Sequence, residues 1–198
     1  LPDGSQADIN GDSAIALDFT DGHRRVRLLR GEAWFGVTHD PAHPFVVETG
    51  AGAVRVLGTQ FSVRRDGTRM TVMVEEGLVE VAAHPGGPDD AWDGVRLHPD
   101  EAVESGPAGL GDVQTIDAGV VFAWRRGQVV FRQQSLASVI AELNRHWPGR
   151  VLLPGDEAAG RVVSGVFALD RPAAVFDALE QGIGVRPTRI TPYLTLLR

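Results

Sequence analysis

Short apolar runs separated by turn residues fill residues 1–117. Many of these runs alternate apolar and polar side chains with a period of two, which is typical of half-buried β-strands. The gaps between them carry turn signals such as Asp66-Gly67 and Glu76-Gly77. The predicted strands are Ile15–Phe19, Val26–Leu29, Ala33–Val37, Phe45–Val47, Val54–Leu57, Phe61–Val63, Met70–Val74, Leu78–Val81, Val95–Leu97 and Val113–Ile116. This half is therefore predicted to be all-β, as a sandwich, a barrel or a solenoid of stacked coils.

The same pattern predicts the turns and the core of this half. Arg30-Gly31 predicts a turn between two separate strands, and residues 85–90, which contain only Gly, Pro and Asp, predict a surface loop. Large apolar residues of the strands are predicted to share one core. They are Leu28, Trp34, Phe35, Val46, Val56, Phe61, Val72 and Val79.

Residues 118–198 show a different pattern, in which strands alternate with helices. Apolar residues spaced three and four apart predict one helix after Ser135 and a second after Asp170, each with a capping side chain. Strands are predicted at 128–131, 151–153, 162–167, 185–190 and 193–198. The order β-α-β-β-α-β-β predicts a small α+β unit with two helices packed on one sheet. Its predicted core residues are Leu136, Ile140, Leu143, Phe176 and Leu179.

Charge divides the chain at the same place. Residues 1–117 carry nine arginines and twenty acidic residues, a net charge of −11. Residues 118–198 carry ten arginines and six acidic residues, a net charge of +4. The asymmetry supports two domains, 1–117 and 118–198. The net charge of the whole chain, −7, argues against a nucleic-acid partner, because a strong binder needs a basic face.

Composition also limits the chemistry of the chain. It has no cysteine, and its 19 Lys-or-Arg positions are all arginine, which excludes disulfides, thiolate catalysis and Schiff-base lysines. His39 and His43 are four residues apart, but Pro41 and Pro44 place them in a loop with no evident third ligand. No metal and no cofactor are therefore predicted.

One peptide bond, Gly58-Thr59, combines residues that permit self-cleavage. A threonine hydroxyl can attack the carbonyl carbon of the preceding residue in an N→O acyl shift, and water then hydrolyses the resulting ester. Glycine permits the backbone conformations that this attack requires. A tight turn between two strands explains the same pair, and from chemistry alone the turn is favoured because Gly-Thr is a common pair.

A series of motifs extends along the whole chain. In the first half they are Leu1–Ser5, Asn10–Ser13, Leu28–Phe35, His39–Pro41, Pro44–Thr49, Val54–Val63 and Glu76–Val81. In the second half they are Trp124, Gly127–Phe131, Leu136, Leu143–Arg145 and Ser164–Phe167. Their order and spacing resemble the periplasmic region of the FecR family, transmembrane anti-sigma regulators of iron and siderophore uptake. The second half resembles the STN domain also found on secretins and TonB-dependent receptors. His43 departs from the pattern, where arginine is expected.

The resemblance implies a signal-relay function in the periplasm of a Gram-negative bacterium, within a single-pass inner-membrane protein. The implied partner is the N-terminal signalling domain of a TonB-dependent siderophore receptor. An extracytoplasmic-function sigma factor would be controlled only through a cytoplasmic part outside this fragment. Several family members are described as cleaving themselves, and Gly58-Thr59 is the bond that matches.

A small sheet in the second unit is expected to offer an open edge, and open edges pair readily with another strand. Two strands are candidate partner-binding edges, and the sequence does not choose between them. Their residues are Val162, Val163, Ser164 and Val166 in one strand and Tyr193, Leu194, Thr195 and Leu196 in the other.

Two other classes of function stay open at this point. A β-solenoid carbohydrate-active enzyme would use carboxylates side by side on successive coils, and the acidic first half makes this conceivable. A structural, secretin-like assembly module would account for the STN-like half alone. The regulator interpretation accounts for both halves.

Overall fold

The structure, a computed structural model, describes residues 1–20, 22–83, 92 and 94–198. It divides the chain into two compact units, Leu1–Ala118 and Gly119–Arg198. The predicted surface loop 85–90 lies outside the described residues. Within the described residues, no helix is both long and apolar enough to cross a bilayer.

The first unit is built from strands, and its described residues contain no helix before Ala118. The strands are β1 (Gln6–Ile9), β2 (Ala14–Asp18), β3 (Arg24–Gly36), β4 (Phe45–Thr49), β5 (Gly52–Val56), β6 (Gln60–Asp66), β7 (Arg69–Glu76), β8 (Val79–Ala82), β9 (Val95–Leu97), β10 (Glu101–Gly106), β11 (Gly109–Leu110) and β12 (Gln114–Thr115). The prediction of a β-rich first half is confirmed. The strands β1, β10 and β11 were not predicted.

One continuous sheet contains all twelve strands. Its main path runs β11-β10-β7-β6-β3-β4-β5-β8-β9, while β1 and β2 pair with β3 and β12 pairs with β10. Every pairing in the described part of this unit is antiparallel except that of β3 with β4. The solenoid alternative is therefore wrong, because stacked coils require parallel strands, whereas the short turns here join neighbouring strands as hairpins.

The long strand β3 passes through two parts of the sheet. Its first half pairs with β2 and β4, and its second half pairs with β1 and β6. The predicted turn at Arg30-Gly31 is wrong, because the strand continues through it. Gly31 instead has a φ of +76°, and a Cβ at this position would lie 2.7 Å from Ser13 Cα. The glycine thus permits a close approach of backbone within a strand.

The core of the first unit is a cluster of buried side chains on one face of the sheet, among them Phe35, Phe45 and Phe61. Seven of the eight predicted core residues are buried. Val46 is the exception and is only partly buried, because the period of two points its neighbours Phe45 and Val47 inward. Trp34 is buried outside the main cluster, where its Nε1–H donates a hydrogen bond to Glu75 Oε2 at 2.7 Å.

The second unit alternates short strands with helices. Its elements are α1 (Ala118–Val121), a 3-10 helix (Ala123–Arg126), β13 (Gln128–Ser135), α2 (Leu136–His146), β14 (Arg150–Leu152), α3 (Asp156–Ala159), β15 (Val162–Ala168), α4 (Pro172–Ile183), β16 (Pro187–Thr191) and β17 (Leu194–Leu197). As predicted, Ser135 caps α2, accepting a hydrogen bond from Ser138 N–H at 3.2 Å. The predicted cap Asp170 is wrong: Arg171 occupies the N-cap position of α4 without a side-chain cap.

The prediction of a single small sheet in this unit is wrong. β13 pairs with β15 in a two-stranded sheet, and β14, β17 and β16 form a separate three-stranded sheet in that order. The predicted open edge at the final strand is also wrong, because parallel pairing with β14 covers the side of β17 that the β16–β17 hairpin leaves free. The predicted core is present, with Leu136, Ile140, Leu143 and Leu179 buried and Phe176 packed against them.

Candidate functional site

The Gly58–Thr59 peptide lies in the short link between β5 and β6. β5 ends at Val56 and β6 begins at Gln60, so the link is only three residues long. The two strands do not pair with each other, since β5 lies between β4 and β8 while β6 lies between β3 and β7. The link therefore passes from one part of the sheet to another instead of closing a hairpin.

Residues 37–43, which connect β3 to β4, hold the backbone on both sides of this peptide. Asp40 N–H donates a hydrogen bond to Leu57 O at 2.8 Å, and Val37 N–H donates one to Thr59 O at 2.9 Å. The carbonyl groups immediately before and after that of Gly58 are thus fixed. We call residues 37–43 the clamp loop.

Two close approaches enclose the peptide. A Cβ on Gly58 would lie 2.6 Å from His39 Cα and 2.7 Å from His39 Nδ1, so the clamp loop packs directly on the glycine. Gly77, in the turn between β7 and β8, has a φ of +89°, and a Cβ there would lie 2.6 Å from Thr59 Cγ2. Neither position accommodates a larger residue without displacement of the Gly58–Thr59 link.

The hydroxyl of Thr59 has no hydrogen-bond partner although it is buried. Thr59 is 6% exposed, and its Oγ1 is the single buried side-chain nitrogen or oxygen without a partner in the described part of the chain. The buried hydroxyls of Ser62 and Ser105, by contrast, donate to Glu32 Oε1 and Ala51 O. An unsatisfied buried hydroxyl costs about 1–3 kcal/mol, so native proteins retain few of them.

A buried arginine organises the clamp loop. Arg24 is 7% exposed and donates to three backbone carbonyls of the loop: His43 O at 2.6 Å, Thr38 O at 2.9 Å and Asp40 O at 3.2 Å. It also forms an ion pair with Asp3 at 3.1 Å. One guanidinium thus satisfies carbonyl groups that the turn of the loop leaves without strand partners.

The carboxyl groups around the clamp loop favour the charged state. Burial alone raises the pKa of Asp3, but hydrogen bonds from Ser5 and Arg24 outweigh it and leave this pKa below its usual value. A hydrogen bond from His43 likewise lowers the pKa of Asp40, at a distance of 2.9 Å from His43 Nδ1. Both carboxylates are therefore structural acceptors at neutral pH.

The arrangement permits chemistry on the peptide itself. No group of three His, Asp or Glu side chains in the described residues is arranged to hold a metal ion. A nucleophile without a competing hydrogen bond lies next to a carbonyl whose neighbours on both sides are pinned. Thr59 Oγ1 can therefore approach the Gly58 carbonyl carbon without first breaking a hydrogen bond.

Of the two candidate partner-binding strands, only one has an open edge among the described strands. β15 pairs only with β13 among the described strands, so one edge of β15 is open. Val162 and Val166 are 59% and 61% exposed, Ser164 between them is also exposed, and Val163 is buried. Tyr193 is 68% exposed and precedes β17, whereas Leu194, Thr195 and Leu196 lie in the central strand of the other sheet.

Comparison with known proteins covers both units. Residues 1–80 match the family model of the FecR protein. Two crystal structures, each of a candidate anti-sigma factor from Parabacteroides distasonis, are similar to the whole chain at 28% sequence identity. Both matches cover 100% of this chain, with 92% of one solved chain at a TM-score of 0.80 and 91% of the other at 0.79. No curated protein matches the sequence.

The matched family and the solved neighbours are regulators, and this supports a regulatory role for the chain that contains the Gly58–Thr59 link. The first 80 residues match the FecR family, and the solved neighbours of the whole chain, which are candidate anti-sigma factors, support a regulator role.

Proposed function

We propose that this chain is the periplasmic signal-receiving region of an inner-membrane anti-sigma regulator. It binds the N-terminal signalling domain of a TonB-dependent siderophore receptor and thereby controls an extracytoplasmic-function sigma factor, which the cytoplasmic part of such a regulator contacts. The FecR family match and the anti-sigma neighbours support this proposal. The observation that carries the binding step is the open edge of β15.

The edge of β15 has the properties of a strand-addition site. Its free backbone groups can extend the two-stranded sheet, and the exposed Val162 and Val166 give an incoming strand apolar surface to bury. The second unit carries a net charge of +4, which favours an acidic partner and accelerates encounter. A two-stranded sheet also gains more from an added strand than a larger sheet does.

A pair of variants of the full chain tests this assignment. Val166→Asp places a charge on the exposed face of β15 and is expected to weaken binding of a receptor signalling domain at least tenfold, about 1.4 kcal/mol. Leu17→Asp is the control, since Leu17 is a similarly exposed aliphatic residue on β2 of the first unit. Weakening by Leu17→Asp alone would place the interface on the first unit and contradict the assignment.

Salt dependence supplies a second measurement. Association is expected to slow as salt rises from low to physiological levels, because surface charges are screened over about 8–10 Å under those conditions. An association rate that is independent of salt would contradict a contribution of the net charge of +4 to binding.

We also propose self-cleavage at Gly58–Thr59, and the unpartnered Oγ1 of Thr59 is the observation that favours it. Oγ1 attacks the Gly58 carbonyl carbon and forms an ester bond, the Gly58–Thr59 amide bond breaks, and the hydroxyl proton passes to the Thr59 nitrogen. Water then hydrolyses the ester to a Gly58 carboxylate and restores the Thr59 hydroxyl.

Mass spectrometry of the purified chain tests the cleavage. Fragments 1–58 and 59–198 are expected from the wild type and from Thr59→Ser, which keeps the hydroxyl. Thr59→Ala and the isosteric Thr59→Val are expected to stay intact. A break that persists unchanged in Thr59→Ala, or the absence of any break in the wild type and Thr59→Ser, would overturn this proposal.

A further inference from the structure

The clamp loop contacts the Gly58–Thr59 peptide at three successive points. Val37 N–H holds Thr59 O, Asp40 N–H holds Leu57 O, and His39 between them packs on Gly58 itself. Two of these contacts involve only backbone atoms, which any sequence supplies. The third involves both the backbone and the side chain of His39, because a Cβ on Gly58 would lie 2.6 Å from His39 Cα and 2.7 Å from the imidazole Nδ1.

Arg24 supports His39 through hydrogen bonds to the backbone on both sides of it. The guanidinium holds Thr38 O on one side of His39 and Asp40 O on the other, at 2.9 and 3.2 Å. Arg24 therefore holds the peptide group before His39 and the peptide group after Asp40. Because Arg24 is buried and paired with Asp3, this support is rigid compared with an exposed loop.

An acyl shift makes a specific demand on this geometry. Thr59 Oγ1 must reach the Gly58 carbonyl carbon through a five-membered ring, and the amide must leave planarity as the carbon becomes tetrahedral. A glycine has no side chain to restrict its rotation, so an unsupported Gly58 would sample many orientations of its carbonyl. Packing of His39 against Gly58 restricts that freedom.

We propose that His39 is a positioning residue for cleavage at Gly58–Thr59, acting through the contact of its imidazole with Gly58, with Arg24 as its support. This inference rests on the proposed self-cleavage. It assigns His39 no covalent role: the bond that forms joins Thr59 Oγ1 to the Gly58 carbonyl carbon, and the bond that breaks is the amide.

Three substitutions of His39 in the full chain distinguish positioning by the imidazole from a mere filling of space next to Gly58. His39→Asn keeps a polar side-chain atom at the place of Nδ1 and is expected to retain the cleavage rate within about threefold. His39→Ala removes the contact and His39→Leu keeps apolar volume alone, and both are expected to slow cleavage at least tenfold, about 1.4 kcal/mol in the barrier. The rates are followed by mass spectrometry after refolding.

Two controls keep the fold and the chemistry apart. His98→Ala removes an exposed histidine outside the clamp loop, between β9 and β10, and it is expected to leave the rate unchanged. Hydroxylamine, which attacks esters, tests whether His39 acts on formation of the ester. It is expected to accelerate chain breakage in the wild type and not in His39→Ala, where the ester forms slowly. Circular dichroism and the thermal midpoint verify that each variant is folded.

The outcomes distinguish this inference from the proposal on which it rests. If the wild type and Thr59→Ser break while Thr59→Ala does not, self-cleavage stands, and a wild-type rate in folded His39→Ala overturns the role of His39 alone. An equal loss in His39→Asn and His39→Ala also overturns it, because an atom at the place of Nδ1 then has no effect. If neither the wild type nor Thr59→Ser breaks, both proposals fail together.

Discussion

Single residues in the first unit are determined by close packing as much as by hydrophobicity. Gly31, Gly58 and Gly77 each face a neighbour so near that a Cβ would lie under 3 Å from another atom. In the sequence the three look alike, as turn signals between apolar runs. Only the fold shows that Gly31 lies within a strand and that Gly58 and Gly77 enclose a threonine.

Substitution of Gly31 tests this packing directly. Gly31→Ala is expected to lower the free energy of unfolding by at least about 3 kcal/mol, because a φ of +76° is unfavourable for alanine and the Ser13 backbone lies in the way. Gly67→Ala is the matched control, with a φ of +58° and nothing within 4 Å, so only the conformational cost of about 1–2 kcal/mol applies. Urea unfolding of both variants measures the difference, and equal losses would contradict the packing argument.

The lowered pKa of Asp3 leads to a prediction about how stability depends on pH. Because hydrogen bonds hold its pKa in the folded state below the unfolded value, the stability it contributes is fully present above the unfolded pKa of about 3.9. That contribution is lost as the pH falls through the lower, folded-state pKa. The difference in unfolding free energy between the wild type and Asp3→Asn is therefore expected to be constant near neutral pH and to narrow in acid.

A series of urea titrations at decreasing pH measures this difference. Asp12→Asn serves as the control, since Asp12 pairs with Arg30 on the surface, where ion pairs contribute little. A difference for Asp3→Asn that widened in acid would contradict the direction of the pKa shift.

At the scale of the elements, periodicity located most strands but not their connections. The predicted strands Val26–Leu29 and Ala33–Val37, with Gly31 between them, belong to one long strand, β3. A positive φ at a single residue bends a strand without ending it. β10 was missed because Glu101–Gly106 has only two apolar residues, a signal too weak without its partner β7. The pairing of β14 with β17 depends on contacts distant in sequence, which no local pattern contains.

The candidate site was likewise only partly predictable from the sequence. The Gly58–Thr59 pair and the middle of the clamp loop were visible as motifs in the sequence. Arg24 lies in none of those motifs, and the contacts that bring Asp3 and Gly77 to this site could not be predicted, because each residue lies more than a dozen positions from the link.

The sheet topology predicts what a cut at Gly58–Thr59 does. The cut separates β1–β5 from the remaining strands, yet β3 pairs with β6 over six residues and β5 pairs with β8 over three. The pieces share one core, so they are expected to stay associated without a covalent link.

Co-production of 1–58 and 59–198 as separate chains measures this association by size-exclusion chromatography. The pieces are expected to co-elute in native buffer and to separate in denaturant. Val63→Asp, which buries a charge on β6 opposite Ala33, is expected to abolish co-elution. Separate elution of the unaltered pieces would contradict the topology argument.

At the scale of the whole molecule, charge and packing divide the chain in the same way. The hydrophobic cluster of the first unit contains no residue beyond Val103, and that of the second unit contains none before Val129. The units carry net charges of −11 and +4. Each therefore has its own core and its own electrostatic character, as the proposed division between partner binding in the second unit and cleavage in the first requires.

The separate core of the second unit makes its independent folding a direct expectation. Residues 119–198, produced alone, are expected to show helical circular dichroism and a cooperative thermal transition, because the described residues of this unit form a hydrophobic cluster of their own. Leu143→Asp is the control: Leu143 is fully buried on α2, so an unpaired charge there is expected to abolish the transition. If the isolated unit folds, its affinity for a receptor signalling domain should equal that of the full chain, since the edge of β15 is contained within it. A fragment that stays unfolded under conditions where the full chain is folded would contradict the independence of the two cores. A folded fragment that does not bind would place the interface outside β15.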